Sequence, residues 1–112
     1  MRERSEDDFK IHLEEVGEFT YAQRTLGDSL KIRAEFIRLL EGIDPDADGE
    51  LSGFANIFAT HKILVTSCPA GWENLALVKE SAHPEVIGVV LRLWKQLEET
   101  EDSFRQGAAG KN

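Results

Sequence analysis

Apolar and polar residues change their period along this chain, from that of a strand to that of a helix. Phe9, Ile11 and Leu13 alternate with Lys10, His12 and Glu14, which is the two-residue period of a strand. Val16-Gly17-Glu18-Phe19 follows, so the pattern predicts a short β-hairpin turning near Glu15–Gly17. Such a hairpin must lie on helices, because two strands alone are marginal in water. From Thr20 the period becomes helical. Thr20 and Gln23 stand in capping-box spacing, and Gly27-Asp28 then interrupts, with Asp28 available to cap a fresh start. Leu30, Ala34, Ile37 and Leu40, with Phe36 alongside, form a wide apolar stripe that runs to about Glu41, where Gly42 supplies the stop.

Asp44-Pro-Asp-Ala-Asp-Gly49 is a polar loop of turn formers. A third helix is predicted from Ser52 to about Thr66, with Leu51, Phe54, Ile57, Phe58, Leu64 and Val65 inward. Cys68-Pro69-Ala70-Gly71 ends it, since proline cannot continue the hydrogen-bond ladder and disfavours helix just before itself. Trp72 to Ser81 is ambiguous, with room for a helical turn or two around Leu75–Val78. The clearest element is the last. Ser81 or His83 caps it, Pro84 sits near the first helical position, and Glu85 complements the positive end of the dipole. Ile87, Val90, Leu91, Trp94, Leu97 and Phe104 then line one face as far as about Arg105. The fold class read from this pattern is mainly α: a small bundle of three to four helices with a short N-terminal β-hairpin. Residues 1–8 are expected to be a mobile segment, 9–105 a single helical domain, and 106–112 a flexible tail.

Composition narrows the function classes. At 112 residues the chain suits one core and one domain. Thirteen basic against 21 acidic residues give a net charge of −8, the wrong sign for a nucleic acid or an anionic membrane surface. No apolar run approaches the length of a membrane span, and the N-terminus lacks the apolar middle of a signal peptide. The single cysteine, Cys68, excludes an internal disulfide framework and suits a reducing compartment, so the expected location is the cytoplasm.

The loudest local motif is Asp44-Pro45-Asp46-Ala47-Asp48-Gly49-Glu50-Leu51-Ser52. It places carboxylates at positions 1, 3 and 5, glycine at 6 and an apolar residue at 8, and so resembles the front of an EF-hand calcium loop. Position 12, which should supply a bidentate glutamate, is Ala55. Asp44, Asp46 and Asp48 alone fall short of the six to eight oxygens calcium takes. A solvated connection using Asp and Gly as turn residues is the favoured reading, and a degenerate EF-hand-like module the alternative. The three histidines show no metal-ligand spacing, and Cys68 has no neighbouring base in sequence. No nucleophile elbow, phosphate-cradling loop or paired-carboxylate constellation is present, so the chain does not read as an enzyme, and no cofactor is expected.

Several segments together carry a resemblance. Phe19-Thr20-Tyr21-Ala22-Gln23-Arg24 opens a helix in this reading, followed by Ile32-Arg33-Ala34-Glu35-Phe36-Ile37-Arg38-Leu39-Leu40-Glu41-Gly42. Phe58-Ala59-Thr60 leads to Pro69-Ala70-Gly71-Trp72, and the chain closes on Trp94-Lys95-Gln96-Leu97 and Ser103-Phe104-Arg105. In order and spacing, over residues 9–105, this resembles the small tail assembly chaperones of long-tailed bacteriophages and prophages. The resemblance implies a mostly helical factor in the host cytoplasm that coats the aggregation-prone tape measure protein and recruits tail tube subunits. It implies no catalysis and no cofactor, and self-association is a further expectation. In many such phages a ribosomal frameshift near the end of the gene makes a longer form, and Lys111-Asn112 is compatible with slippery codons.

A chaperone of this kind needs an apolar surface kept soluble by charge, and −8 supplies that charge. Trp72, Val90, Trp94, Leu97 and Phe104 are the expected contact residues, with the acidic run Glu98, Glu99, Glu101 and Asp102 beside them as a charge-steered docking flank. Both tryptophans read as core candidates first and interface anchors second.

Overall fold

A computed structural model describes residues 1–109. Strands β1 (Phe9–Leu13) and β2 (Gly17–Tyr21) form the expected hairpin, with Phe9 opposite Tyr21 and Leu13 opposite Gly17. Ile11 and Leu13 face inward while Lys10 and His12 face solvent, as the alternation requires. Gly17 is obligatory at the turn. Its φ of +136° disfavours any side chain, and an added Cβ would lie 3.1 Å from Pro69 Cγ.

The rest of the architecture is mixed α/β rather than a helical bundle bearing a hairpin. Three long helices, α1 (Leu26–Leu40), α2 (Gly49–Leu64) and α3 (Val86–Ala109), accompany a three-stranded antiparallel sheet of order β1-β2-β3. The third strand, β3 (Val65–Ser67), occupies what the sequence suggested was the last turn of a helix. Val65 and Thr66 are β-branched, and β2 offers them an open edge. Tyr21 pairs with Val65 and Thr20 with Ser67, and the Ala22 N–H donates to the Leu64 carbonyl at 2.9 Å.

Thr20 is likewise a strand residue and not a helix start. The helix begins five residues later, where the Thr25 hydroxyl accepts from the Asp28 N–H and the Asp28 carboxylate accepts from the Thr25 N–H. Asp28 is buried and also pairs with Arg2. Burial alone would raise its pKa, but the Thr25 N–H, the Arg2 guanidinium and the Thr25 hydroxyl outweigh that and leave it lowered. Glu41 and Gly42, at φ of +50° and +85°, end α1 in the left-handed conformation.

Helix α2 is apolar on nearly every side because it is the middle layer. Ala55, Ile57, Ala59, Thr60, His61 and Leu64 are buried, and Leu51, Phe54, Phe58 and Ile63 are half-buried. Helix α1 packs along one flank, and the core of the sheet and α3 fills the other. Ile11, Leu13, Phe19, Tyr21 and Val65 from the sheet meet Val89, Val90, Leu93 and Leu97 of α3 there. Residues 1–8, expected to be mobile, make specific contacts. Besides the Arg2–Asp28 pair, the Arg4 guanidinium donates to Ser67 Oγ at 2.9 Å, and Thr66 Oγ1 lies 3.0 Å from Asp8 Oδ2. At the other end α3 extends through residues 106–109, and the remainder of the expected tail, including Lys111-Asn112, lies outside the described residues.

Candidate protein-binding surface

The chain between β3 and α3 frames an open cleft against α2. Pro69-Ala70-Gly71 turns the backbone, and Trp72 drops into the core, edge-on to Phe19 at 6.0 Å and to His83 at 5.1 Å. A 3₁₀ turn, Leu75–Leu77, follows, capped by the Asn74 side chain on the Ala76 N–H. The turn stops short of closing against α2. It leaves an open cleft of about 310 Å³ walled by Phe54 and Phe58 of α2, Leu75 and Val78 of the connection, and Val86, Ile87 and Val90 of α3, with the charged Glu80 also in its lining. Leu77 stands beyond the rim, 74% exposed.

The Trp72 loop is tied to α2 by His61, which is 1% exposed. Its Nε2 lies 2.7 Å from the Trp72 carbonyl oxygen and its Nδ1 lies 2.7 Å from the Tyr21 hydroxyl. A carbonyl only accepts, so Nε2 carries the proton and Nδ1 accepts from Tyr21. Burial pushes the His61 pKa down to about 4, against a weaker opposing pull from the bond to the Trp72 carbonyl. Burial also holds the Tyr21 pKa well above its ordinary value. The two side chains and the Trp72 carbonyl therefore tie β2, α2 and the Trp72 loop together as a neutral network. The Cys68 thiol is pushed up by burial and by Glu73, the opposite of what an activated nucleophile requires.

Of the five contact residues expected from sequence, Trp72, Val90 and Leu97 are core residues, at 3%, 3% and 1% exposure. Trp94 is half-buried, and Phe104 is partly exposed with its ring edge-on to Phe9 at 5.3 Å. The inward face of α3 is rotated relative to the expected one. Val86, Val89, Val90, Leu93 and Leu97 point in, while Ile87 and Leu91 are exposed. Glu101, expected on the acidic docking flank, is buried and takes a bidentate grip from Arg24, with contacts of 2.9 and 3.1 Å. Helix α1 differs in the same sense. Its inner face is Asp28, Ile32, Phe36, Leu39 and Leu40, and three members of the expected stripe, Leu30, Ala34 and Ile37, are exposed.

Two of the carboxylates of the calcium-like loop, Asp44 and Asp48, act as caps. Asp44 accepts from the Asp46 N–H at 2.9 Å above a 3₁₀ turn, Pro45–Ala47, and Asp48 accepts from the Leu51 N–H at 3.0 Å as the N-cap of α2. Ala55, the loop's twelfth position, is buried on α2. Among the described residues no group of three or more His, Cys, Asp or Glu side chains is placed to hold a metal ion. Nor is any described helix long and apolar enough to cross a membrane. No protein-family model, curated protein or solved structure matches the chain.

Proposed function

We propose that this chain is a tail assembly chaperone of a long-tailed bacteriophage or prophage. In this reading it binds the tape measure protein in the host cytoplasm, keeps that long helical client soluble and helps recruit tail tube subunits. The work is binding alone, without catalysis or cofactor. The observation that carries the reading is the open apolar cleft between α2 and the connection into α3, with Phe54, Phe58 and Val78 on its walls and Leu77 exposed at its rim. A groove of this character takes the apolar face of an amphipathic helix. The resemblance in residue order over 9–105 supplies the identity of that helix. The acidic surface keeps the cleft from nonspecific association while it is empty.

The test is co-expression with fragments of the long helical protein encoded downstream. The chaperone is expected to move a fragment from the pellet to the soluble fraction, and Leu77→Asp combined with Val78→Asp is expected to abolish the effect while the variant stays folded by circular dichroism. A fragment no more soluble with the chain than without it overturns the reading. Genes of metabolism or signalling in place of a tube protein gene upstream and a very long helical frame downstream overturn it as well.

A further inference from the structure

The cleft between α2 and α3 carries charge of one sign. Glu80 is in its lining, and Phe54, on its α2 wall, also walls a second hollow formed with Asp48, Glu50 and Leu51. The shared ring joins the two into one groove, from Leu51 at the start of α2 to Val86 and Val90 of α3. Glu50 and Phe54 stand four residues apart on α2, the spacing that sets side chains on one face. Each half of the groove therefore has a carboxylate, Glu50 in one and Glu80 in the other. Asp48 also lines the first half, with one oxygen engaged on the Leu51 N–H.

No lysine, arginine or histidine is in the lining of either half. Glu50 and Glu80 are exposed and have no ion-pair partner among the described residues. The neighbouring cations are placed elsewhere. Lys62, one turn beyond Phe58, pairs with Glu35 of α1, and Arg92 pairs with Glu15 in the hairpin turn. Lys79 lines a separate hollow with Trp72 and His83, and the unpaired Lys95 stands five residues beyond Val90 on α3 and lines neither half. The acidity is local, since the hollow at the opposite end of α2 is lined by Arg2, Lys31 and Lys62 against one carboxylate, Asp28.

We propose that the groove takes a cationic amphipathic helix, with an apolar stripe against Phe54, Phe58 and Val90 and Lys or Arg beside the stripe reaching Glu50 and Glu80. The inference rests on the cleft being the client site of the chaperone reading, and it specifies which kind of client segment is held there. The walls are two helices and a 3₁₀ turn, so no strand edge is open for an extended peptide to join. Apolar contact alone supplies affinity without register. A free carboxylate in each half fixes the register of a cationic helix and rejects an anionic one by like-charge repulsion.

The probes are synthetic fluorescein-labelled helices, stapled so that each is helical alone, with one leucine stripe and its flanking positions all lysine, all glutamine or all glutamate. Binding to the full chain is read by fluorescence anisotropy at low and at physiological salt. The lysine peptide is expected to bind about tenfold tighter than the glutamate peptide, with glutamine between them and the gap narrowing as salt rises. Glu50→Lys with Glu80→Lys is expected to invert that order. Because the chain's net charge of −8 attracts any cation weakly, the control makes the same change in net charge on the N-terminal segment. Glu3→Lys with Glu6→Lys is expected to keep the order. All four positions are exposed, and circular dichroism checks the fold. Peptides bound equally well overturn the inference and leave the chaperone reading standing, as does an order inverted by the Glu3 and Glu6 changes too. If none of the peptides binds, the inference falls, and co-expression with the client decides the chaperone reading separately.

Discussion

Lowering the pH from 7 to 5 is expected to destabilise this protein through one buried histidine. His61 is enclosed between Tyr21 and the Trp72 carbonyl, and its folded pKa of about 4 lies well below the ordinary 6.5 it regains on unfolding. Between those values the unfolded chain binds a proton that the folded chain refuses, so stability rises with pH across the window. The contribution is complete above pH 6.5 and is lost as pH falls from there toward 4. At about 1.4 kcal/mol per unit, the loss reaches about 2 kcal/mol at pH 5 and about 3 kcal/mol at pH 4. For a domain of this size that is a large fraction of a total near 5–15 kcal/mol. The penalty comes from burying charge. The Tyr21 hydroxyl can turn to accept from a protonated Nδ1, so no hydrogen-bond partner is lost, but the surrounding core cannot solvate an imidazolium. Asp28, Glu35 and Glu15 have lowered pKa values, so their contributions are lost only below the ordinary carboxylate range. Urea unfolding followed by tryptophan fluorescence, every half unit from pH 7.5 to 4.5, measures the slope directly. His61→Gln is expected to be less stable at pH 7 and to lose the slope between pH 6.5 and 5, while His12 and His83 remain in both proteins and cancel. A wild-type stability that is flat across that window, or an equal slope in the variant, refutes the reasoning.

Two further outcomes follow from the same structure. Arg24→Ala strands the buried Glu101 carboxylate and is expected to cost about 2 kcal/mol, with a coupling to Glu101→Gln of about 1 kcal/mol in a double-mutant cycle by urea unfolding; additive losses would contradict the bidentate pair. Asp48→Ala removes the N-cap of α2 and is expected to cost about 1 kcal/mol in calcium-free buffer. Added calcium should leave the melting temperature unchanged, and a rise abolished by Asp44→Ala with Asp48→Ala would make the loop an ion site instead.

Local chemistry was legible wherever a short segment carried its own signal. The alternation at Phe9–Leu13 placed the hairpin, Gly42 marked the end of α1, and Pro69 marked a break in the chain. The loop at Asp44–Gly49 was recognisable as turn chemistry, and its carboxylates cap the elements that follow. Two local signals were misleading. Thr20 and Gln23 imitate a capping box, but the working one is Thr25 with Asp28. Val65-Thr66 continues a helical pattern but joins β2, because the sheet edge offers backbone partners that periodicity does not register.

The candidate surface was less legible than the elements that bear it. In α1, apolar residues lie on both sides of the helix, Leu26, Leu30, Ala34 and Ile37 on one and Ile32, Phe36, Leu39 and Leu40 on the other. A periodic stripe identifies a helix but cannot say which of two stripes is covered, since that depends on what packs against it. In the fold the covered side is the one that carries Asp28, with its cap to Thr25 and its pair with Arg2. For α3, a rotation of the helix by a fraction of a turn buries Val86, Val89 and Leu93 and exposes Ile87 and Leu91. His61 looked idle for the same reason. Its partners are 40 residues away in one direction and 11 in the other, and only packing unites them. Helix breaks, caps, charge and the hairpin are properties of neighbouring residues, and the chain alone specified most of them. The third strand, the buried ion pair, the histidine network and the choice of exposed faces arise from groups distant in sequence, and these the tertiary structure decided.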